Sequence, residues 1–255
     1  MNYQKILPWE ALRGLVSHYW VATWDRELTA PKSTYYTVAN TLTDITFAFA
    51  DPKPNSGLLF SAVQGHTERA NQIEVPGFYH LIGASLFSNA IPTLFEVPAG
   101  ELSREFISLN DLLGVEAEHL TEQIEEAANT TDQINLLNRF FLSRLKSRHE
   151  EDNPMAYATQ LIKINQGQNR IPELASACCL SQKQFERRFK CFTGFNPKVF
   201  SRIVRFESVV KSGKSWNSQT EAAHELGYHD QAHFIREFKS FTGLSPREFW
   251  KLSED

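Results

Sequence analysis

Between about Leu15 and Ile107 the apolar residues of the chain fall in short runs, LVSHYWVATW, TYYTVAN, DITFAFA, GLLFSAV and GFYHLIGASLF, separated by turn formers such as DPKPNSG and EVPG. Runs of this length, rich in β-branched and aromatic residues and bounded by Pro, Gly, Asn and Asp, predict the strands of an antiparallel sheet, sandwich or barrel. The period then changes. Leu112, Leu120 and Ile124 recur at helical spacing in LNDLLGVEAEHLTEQIEEAAN, and Ile134, Leu137, Phe141 and Leu145 do so in TDQINLLNRFFLSRLKS. The polar stretch KSRHEEDNP reads as a linker, and beyond it every patterned segment is helical. The expected fold is α+β in two domains: a β-rich domain over residues 1–150 with flanking helices, and an all-α domain over 153–255.

In the helical region a twelve-residue phrase occurs twice, FKCFTGFNPKVF at residues 189–200 and FKSFTGLSPREF at 238–249. Each of its segments has a physical meaning. Ser181 is a good N-cap with Gln184 at the reciprocal capping-box position, so a helix is predicted from Gln182, with Phe185, Phe189 and Phe192 on one face. Gly194 suits the left-handed residue that closes a helix; Asn196 and Pro197 suit the start of the next. The second copy uses Asp230 as cap, Phe234, Phe238 and Phe241 as stripe, Gly243 as terminator, then Ser245 and Pro246. Before each copy, IPELASACCLS and QTEAAHELGYHD offer a short helix whose small residue, Ala175 or Ala223, lets two helices approach closely. That is the helix-turn-helix plan, twice, joined by a helix over PKVFSRIVRFESVVKS. Ala175 and Ala223 are 48 apart but Phe189 and Phe238 are 49 apart, so the second turn holds one extra residue, near Gly227.

Charge sharpens this division. The chain of 255 residues carries a net charge of −4, yet Asn153 to Asp255 contains 15 Lys plus Arg against 10 Asp plus Glu, a balance of +5, which leaves −9 on the remainder. A basic domain on an acidic chain suits binding to a polyanion, since phosphate neutralisation depends on charge near the site. Hydrophobic residues at 42% and no apolar run approaching the ~20 residues of a membrane span argue for a globular, cytoplasmic protein without a membrane partner. Cys178, Cys179 and Cys191 have no CxxC spacing and suit neither a disulfide framework nor a zinc site.

The segment ELGYHDQAHFIREFKSFTGLSPREF, residues 225–249, closely resembles the signature of the AraC/XylS family of bacterial transcription regulators, and the resemblance extends over about residues 155–251. It implies two helix-turn-helix units bridged by a long helix. Ala222 departs from the pattern, standing where a larger aliphatic residue is typical. The N-terminal half is similar to the cupin-like β domain of many family members, with LFEVPAGEL followed by SLNDLLG similar to an uncharacterised subgroup.

With the Phe stripes inward, the 100° step per residue turns Lys183, Glu186, Arg187 and Lys190 outward on the first reading helix, flanked by Gln182. On the second, Ala232, Arg236 and Lys239 face out beside Gln231, with Ile235. Arg can pair with guanine, Gln with adenine, Ala or Ile with a thymine methyl, and Glu186 can accept from cytosine or pair with a neighbouring cation. Arg202, Arg205, Lys198 and Lys211 are expected at phosphates or as surface charges.

In the β domain, Tyr35, Tyr36, Phe47, Phe49, Phe78 and Tyr79 are candidates to line an effector pocket, with plain sheet core as the alternative. His18, His66, His80 and His119 are scattered and lack the clustered HxH of a cupin metal site, so no metal or cofactor is expected. The function expected is a DNA-binding transcription regulator and not an enzyme. Its partners would be double-stranded DNA, a small-molecule effector, a second copy as homodimer, and RNA polymerase if it activates. Two other readings stay open: a cupin-type enzyme with an accessory DNA-binding module, and a regulator whose N-terminal domain makes only protein contacts.

Overall fold

The computed structural model describes residues 2–23, 32–51, 56–76, 80–102, 106–145, 153–212 and 219–252. Two compact units result. One comprises Met1–Tyr35, Leu42–His66 and Ile73–Glu150, the other Tyr36–Thr41, Thr67–Gln72 and Glu151–Asp255.

The first unit is an antiparallel sheet with helices on one face. Its strands are β1 (Asn2–Ile6), β2 (Val16–Thr23), β4 (Leu42–Phe49), β5 (Leu58–Gln64), β7 (His80–Phe87) and β8 (Phe106–Ser108), in the spatial order β1-β2-β7-β4-β5-β8. A separate two-stranded ladder joins β3 (Lys32–Thr37) to β6 (Asn71–Pro76). Four helices follow β7 in the chain, with β8 between the first two: α1 (Ala90–Phe95), α2 (Leu109–Leu113), α3 (Val115–Glu126) and α4 (Thr130–Arg144). Because successive strand residues point to opposite faces, Tyr19 and Val21 of β2, Ile45, Phe47 and Phe49 of β4 and Ile82, Ala84 and Leu86 of β7 share one side. That side is buried with Leu120, Ile124, Ile134, Leu137 and Phe141 in one core. The helices between Asp111 and Arg144 therefore cover the sheet with the stripe their spacing predicted.

A polar pin fixes this layer. Asn138 of α4, 1% exposed, accepts from the Tyr19 hydroxyl at 3.1 Å and from the Trp9 amide at 3.0 Å, and donates to Ile134 O. Arg144 donates to Leu94 O at 2.7 Å, pairs with Glu116 and lies over the Phe95 and Phe140 rings.

Some elements depart from the sequence reading. β1 lies outside the predicted strand region because, as an edge strand with Asn2, Tyr3, Gln4 and Lys5 all exposed, it has no apolar face to leave an alternating pattern. Glu74–Pro76 of the EVPG segment form the end of β6, and Gly77 lies outside the described residues. Most of the expected linker lies outside the described residues, while Asn153 and Pro154 already open a helix. No helix among the described residues is long and apolar enough to cross a membrane.

Candidate nucleic-acid interface

The second unit is built from α5 (Asn153–Ile164), α6 (Ile171–Ala177), α7 (Gln182–Thr193), α8 (Pro197–Ser212), α9 (Gln219–Glu225), α10 (Gln231–Thr242) and α11 (Pro246–Leu252). It also holds two short segments of the N-terminal half: Ala39 N–H donates to Phe241 O at 3.0 Å, and the Thr41 amide and hydroxyl both donate to the Glu207 carboxylate.

Every cap falls where the sequence grammar puts it. Ser181 and Gln184 form the reciprocal box at the start of α7, and Asp230 Oδ1 accepts from His233 N at 2.7 Å at the start of α10. Gly194 and Gly243 close the two helices in the left-handed conformation, their N–H groups bonded to Lys190 O and Lys239 O. Ser245 and Glu248 add a second capping box at α11. The Thr of the repeated FTG has a job composition hides: Thr193 and Thr242 donate to Phe189 O and Phe238 O and accept the amide two residues on. Each hydroxyl locks the closing turn of a reading helix.

The Phe stripes lie inward. Phe185, Phe189, Phe234, Phe238 and Phe241 are 2% exposed or less, while Phe192 is half-buried at the edge of the core. The bridging helix joins the two aromatic clusters. Phe200 meets Phe189 and Phe195 at 5.3 and 5.7 Å, whereas Phe206, six residues on, meets Phe238 and Phe241 at 5.3 Å. Six residues turn a helix by about 600°, so the two rings leave α8 on different sides and one helix packs against both units.

The turns also differ as expected. Leu180 N–H returns to Ala175 O and Tyr228 N–H to Ala223 O, so these residues, 48 apart, are equivalent. The caps Ser181 and Asp230 are 49 apart, which identifies the inserted residue as His229, two places beyond Gly227. The side chain of Ala222 lies outside the described residues.

With the stripes buried, the polar faces follow. Gln182, Lys183, Arg187 and Lys190 are exposed on α7, and Gln231, Ala232, Arg236 and Lys239 on α10. Ile235 is half-buried against the core. Glu186 is half-buried and accepts from Gln182 Nε2 at 2.8 Å, so these two neighbours hold each other in the free protein.

Arg202 is the exception among the expected DNA contacts. Its Nε is bonded to Glu237 at 2.7 Å and its guanidinium lies over the Phe241 ring, tying α8 to α10. Glu237 is 6% exposed and sits on the apolar side of α10 next to Phe238, a place where a charge needs a partner. Arg205 likewise donates to Gly167 O at 2.9 Å and covers the Tyr228 ring. The sequence reading missed both roles; the signal available was a Glu on a buried stripe.

Of the aromatic residues proposed for an effector pocket, the side chains of Phe47 and Phe49 are described. Phe47 and Phe49 occupy the core beneath the helices, which corrects their expected place on a pocket wall: β4 turns its odd-numbered residues that way. Tyr35 and Tyr36 belong to β3, their side chains not among those described, and Phe78 and Tyr79 lie outside the described residues.

Residues 174–251 match a family model described as a helix-turn-helix domain, and residues 4–108 match a domain of unknown function, DUF6597. Its helical unit carries an AraC-type helix-turn-helix domain, that of a DNA-binding transcription regulator. Among solved structures, the DNA-binding domain of AdpA, a global transcriptional factor, in complex with a target DNA is 22% identical, with 40% of this chain and 93% of that one covered and a TM-score of 0.37. The C-terminal domain of AraT, a response regulator from Geobacillus stearothermophilus, is 23% identical over 42% and 88% of the two chains, with a TM-score of 0.37. ToxT from Vibrio cholerae O395 bound to (E)-4-(8-methylnaphthalen-1-yl)but-3-enoic acid is 11% identical over 99% of each chain, with a TM-score of 0.49. No curated protein matches the chain.

Proposed function

We propose that α7 and α10 of this AraC-type regulator read bases in successive major grooves. Gln182, Lys183, Glu186, Arg187 and Lys190 serve one half-site, and Gln231, Ala232, Arg236 and Lys239 the other. The observation that carries the reading is the coincidence of two capped helices with exposed Gln, Arg and Lys on the faces opposite their Phe stripes. Lys198 and Lys211, exposed at the ends of α8, are assigned to phosphates, as is the remaining donor capacity of Arg202. The first unit senses a small molecule, without catalysing its conversion, and supplies any dimer contact; RNA polymerase is a partner if the regulator activates. Its place of action is the bacterial cytoplasm, where the DNA is.

Footprinting of the full chain tests this. Two protected patches about 34 Å apart on one face of the duplex are expected. Protection confined to one groove segment would make one unit a scaffold, and turnover of a small molecule on adding a divalent metal would favour the enzyme reading of the first unit.

A further inference from the structure

The sheet of the first unit has a second face, opposite its helices, and the registers define what stands on it. Trp20 of β2 pairs with Gly83 of β7, which pairs with Thr46 of β4. The neighbouring row runs His18, Ser85, Asp44, Gln64, and the row beyond Trp20 runs Tyr3, Ala22, Leu81, Ala48, Phe60. Gly83 is dictated by this arrangement: a Cβ there would lie 2.3 Å from the Trp20 ring, so the indole lies across the sheet at the one position without a side chain. Trp20, Ala22, Ala48 and Leu81 are nearly or fully buried, whereas Asp44, Thr46 and Gln64 are half-buried and Tyr3 and Lys5 exposed. The face thus runs from an apolar floor to a polar, accessible side.

Among the described residues, the partners of Asp44 on this face are neutral. Its carboxylate accepts from Ser85 Oγ at 2.5 Å and from the Trp20 side chain, both neutral donors. Burial pushes the carboxyl up from its usual range against the pull of those two bonds, so the neighbours do not compensate the cost of the charge. The titratable groups that share the face are Tyr3, Lys5 and His18. Tyr3 has its phenol raised by burial and then by Asp44; His18 is held down to about 4 by burial and then by Lys5, and is neutral near pH 7. Among the described residues of β5 and β7, this face carries none.

We propose that this face binds a small organic cation, an ammonium or guanidinium group on an apolar body, with the Asp44 carboxylate as its counter-ion and the Trp20 indole as its wall. A half-buried carboxylate whose described donors are neutral is completed by a cationic N–H donor, which adds a charge-assisted hydrogen bond and a counter-charge. An aromatic face beside it favours the same cation over an anion or an alcohol. The inference rests on the reading of the first unit as the sensing unit and names the chemistry of what it senses.

Three probes of one shape separate the possibilities: benzylammonium, benzyl alcohol and benzoate, titrated by ligand-observed NMR into the full chain and into Asp44→Asn. Benzylammonium is expected to bind the wild type at least about tenfold more tightly than the other two, the ratio that ~1.4 kcal/mol gives. Asp44→Asn, nearly isosteric, is expected to erase the preference. Calorimetry of benzylammonium in two buffers of different ionisation enthalpy supplies a readout independent of the variant's folding: proton release should rise as pH falls, because the cation draws back down a carboxyl that burial pushes up in the free protein. No binding of benzylammonium, equal binding of the alcohol, preference for benzoate, an unchanged preference in Asp44→Asn, or proton release that does not rise would each overturn the proposal. DNA binding of the same samples, followed by fluorescence anisotropy, reports on the regulator reading separately, since a chain that binds DNA and ignores the cation fails only here.

Discussion

Superimposed at an offset of 49 residues, α7 and α10 carry the same side chains at three exposed positions and different ones at five others, three of which bear on reading or anchoring. Gln182 matches Gln231, Arg187 matches Arg236 and Lys190 matches Lys239, while Lys183 faces Ala232, Glu186 faces Ile235 and Arg188 faces Glu237. The shared Phe, Thr and Gly positions are buried or close the helix, so the repeated phrase is structural and needs no common target to explain it. The differences divide in two. Under the proposed base reading, Lys183 against Ala232 would change what is offered to a base edge, a donor against a methyl. Glu237 against Arg188 changes how the helix is held, since Glu237 and Arg202 bolt α10 to the bridging helix. The lesson is that a helix-turn-helix duplicated in one chain keeps its frame and varies both its reading chemistry and its anchoring.

The largest expected effect breaks the frame of the second unit. Phe238 touches Phe206, Phe234, Phe249 and Trp250 and is 1% exposed, so Phe238→Ala removes a ring from the centre of that cluster. A loss of about 3–5 kcal/mol of stability is expected in chemical denaturation. Phe185→Ala, whose ring is paired with Phe189, tests the comparison: a similar loss would show that both frames carry equal weight.

Next come the shared arginines. Arg187→Ala and Arg236→Ala should leave the melting temperature in place while costing about 1–3 kcal/mol of specific binding each, measured by titration with operator and scrambled duplexes. Equal losses on both duplexes would demote that arginine to a phosphate contact. A loss for only a single arginine would mean that the matched positions do not play matched roles.

The frame was legible in the sequence because caps, terminators and stripes are local: Ser181 with Gln184, Gly194, and Phe185 with Phe189 can be read within a dozen residues. What was not legible depends on partners far away in the chain. Nothing near Arg202 says that Glu237 will engage it, and nothing near Phe206 says that it faces the second helix-turn-helix when Phe200 faces the first. In the first unit the same rule holds. Strands with one apolar side could be read; β1, exposed on both, could not. The placement of Phe47 beneath the helices, and of Asp44 on the other side, follows from pleat and register, which a run such as DITFAFA does not disclose by itself.

A smaller effect separates the two turns. Cys179 and Gly227 hold equivalent places, one residue before Leu180 and Tyr228, and both are left-handed, with φ of 56° and 69°. An L side chain costs about 1–2 kcal/mol there and glycine almost nothing. Cys179→Gly is therefore expected to stabilise the first helix-turn-helix by up to ~1 kcal/mol after the entropy of glycine in the unfolded chain is set against the relief. Gly227→Ala should destabilise the second, also because its Cβ would meet Gln168 Oε1 at 3.1 Å.

The smallest expected effect uses the caps, Ser181 on α7 and Asp230 on α10. Asp230 accepts from the His233 backbone amide and lies beside the His229 ring; these hold its carboxyl below the usual carboxylate range, the amide contributing most. A carboxyl lowered by folding contributes stability that is present above its unfolded value near 3.8 and is lost as pH falls through the folded one. Ser181 does not titrate. Acidification below about pH 4 should therefore weaken the start of α10 while leaving the start of α7 as it was, an asymmetry visible as earlier amide exchange at His233 than at Gln184. Asp230→Ser should abolish the asymmetry, since the hydroxyl keeps the cap at any pH. If α10 still frays first in that variant, the cap is not the source of its acid sensitivity.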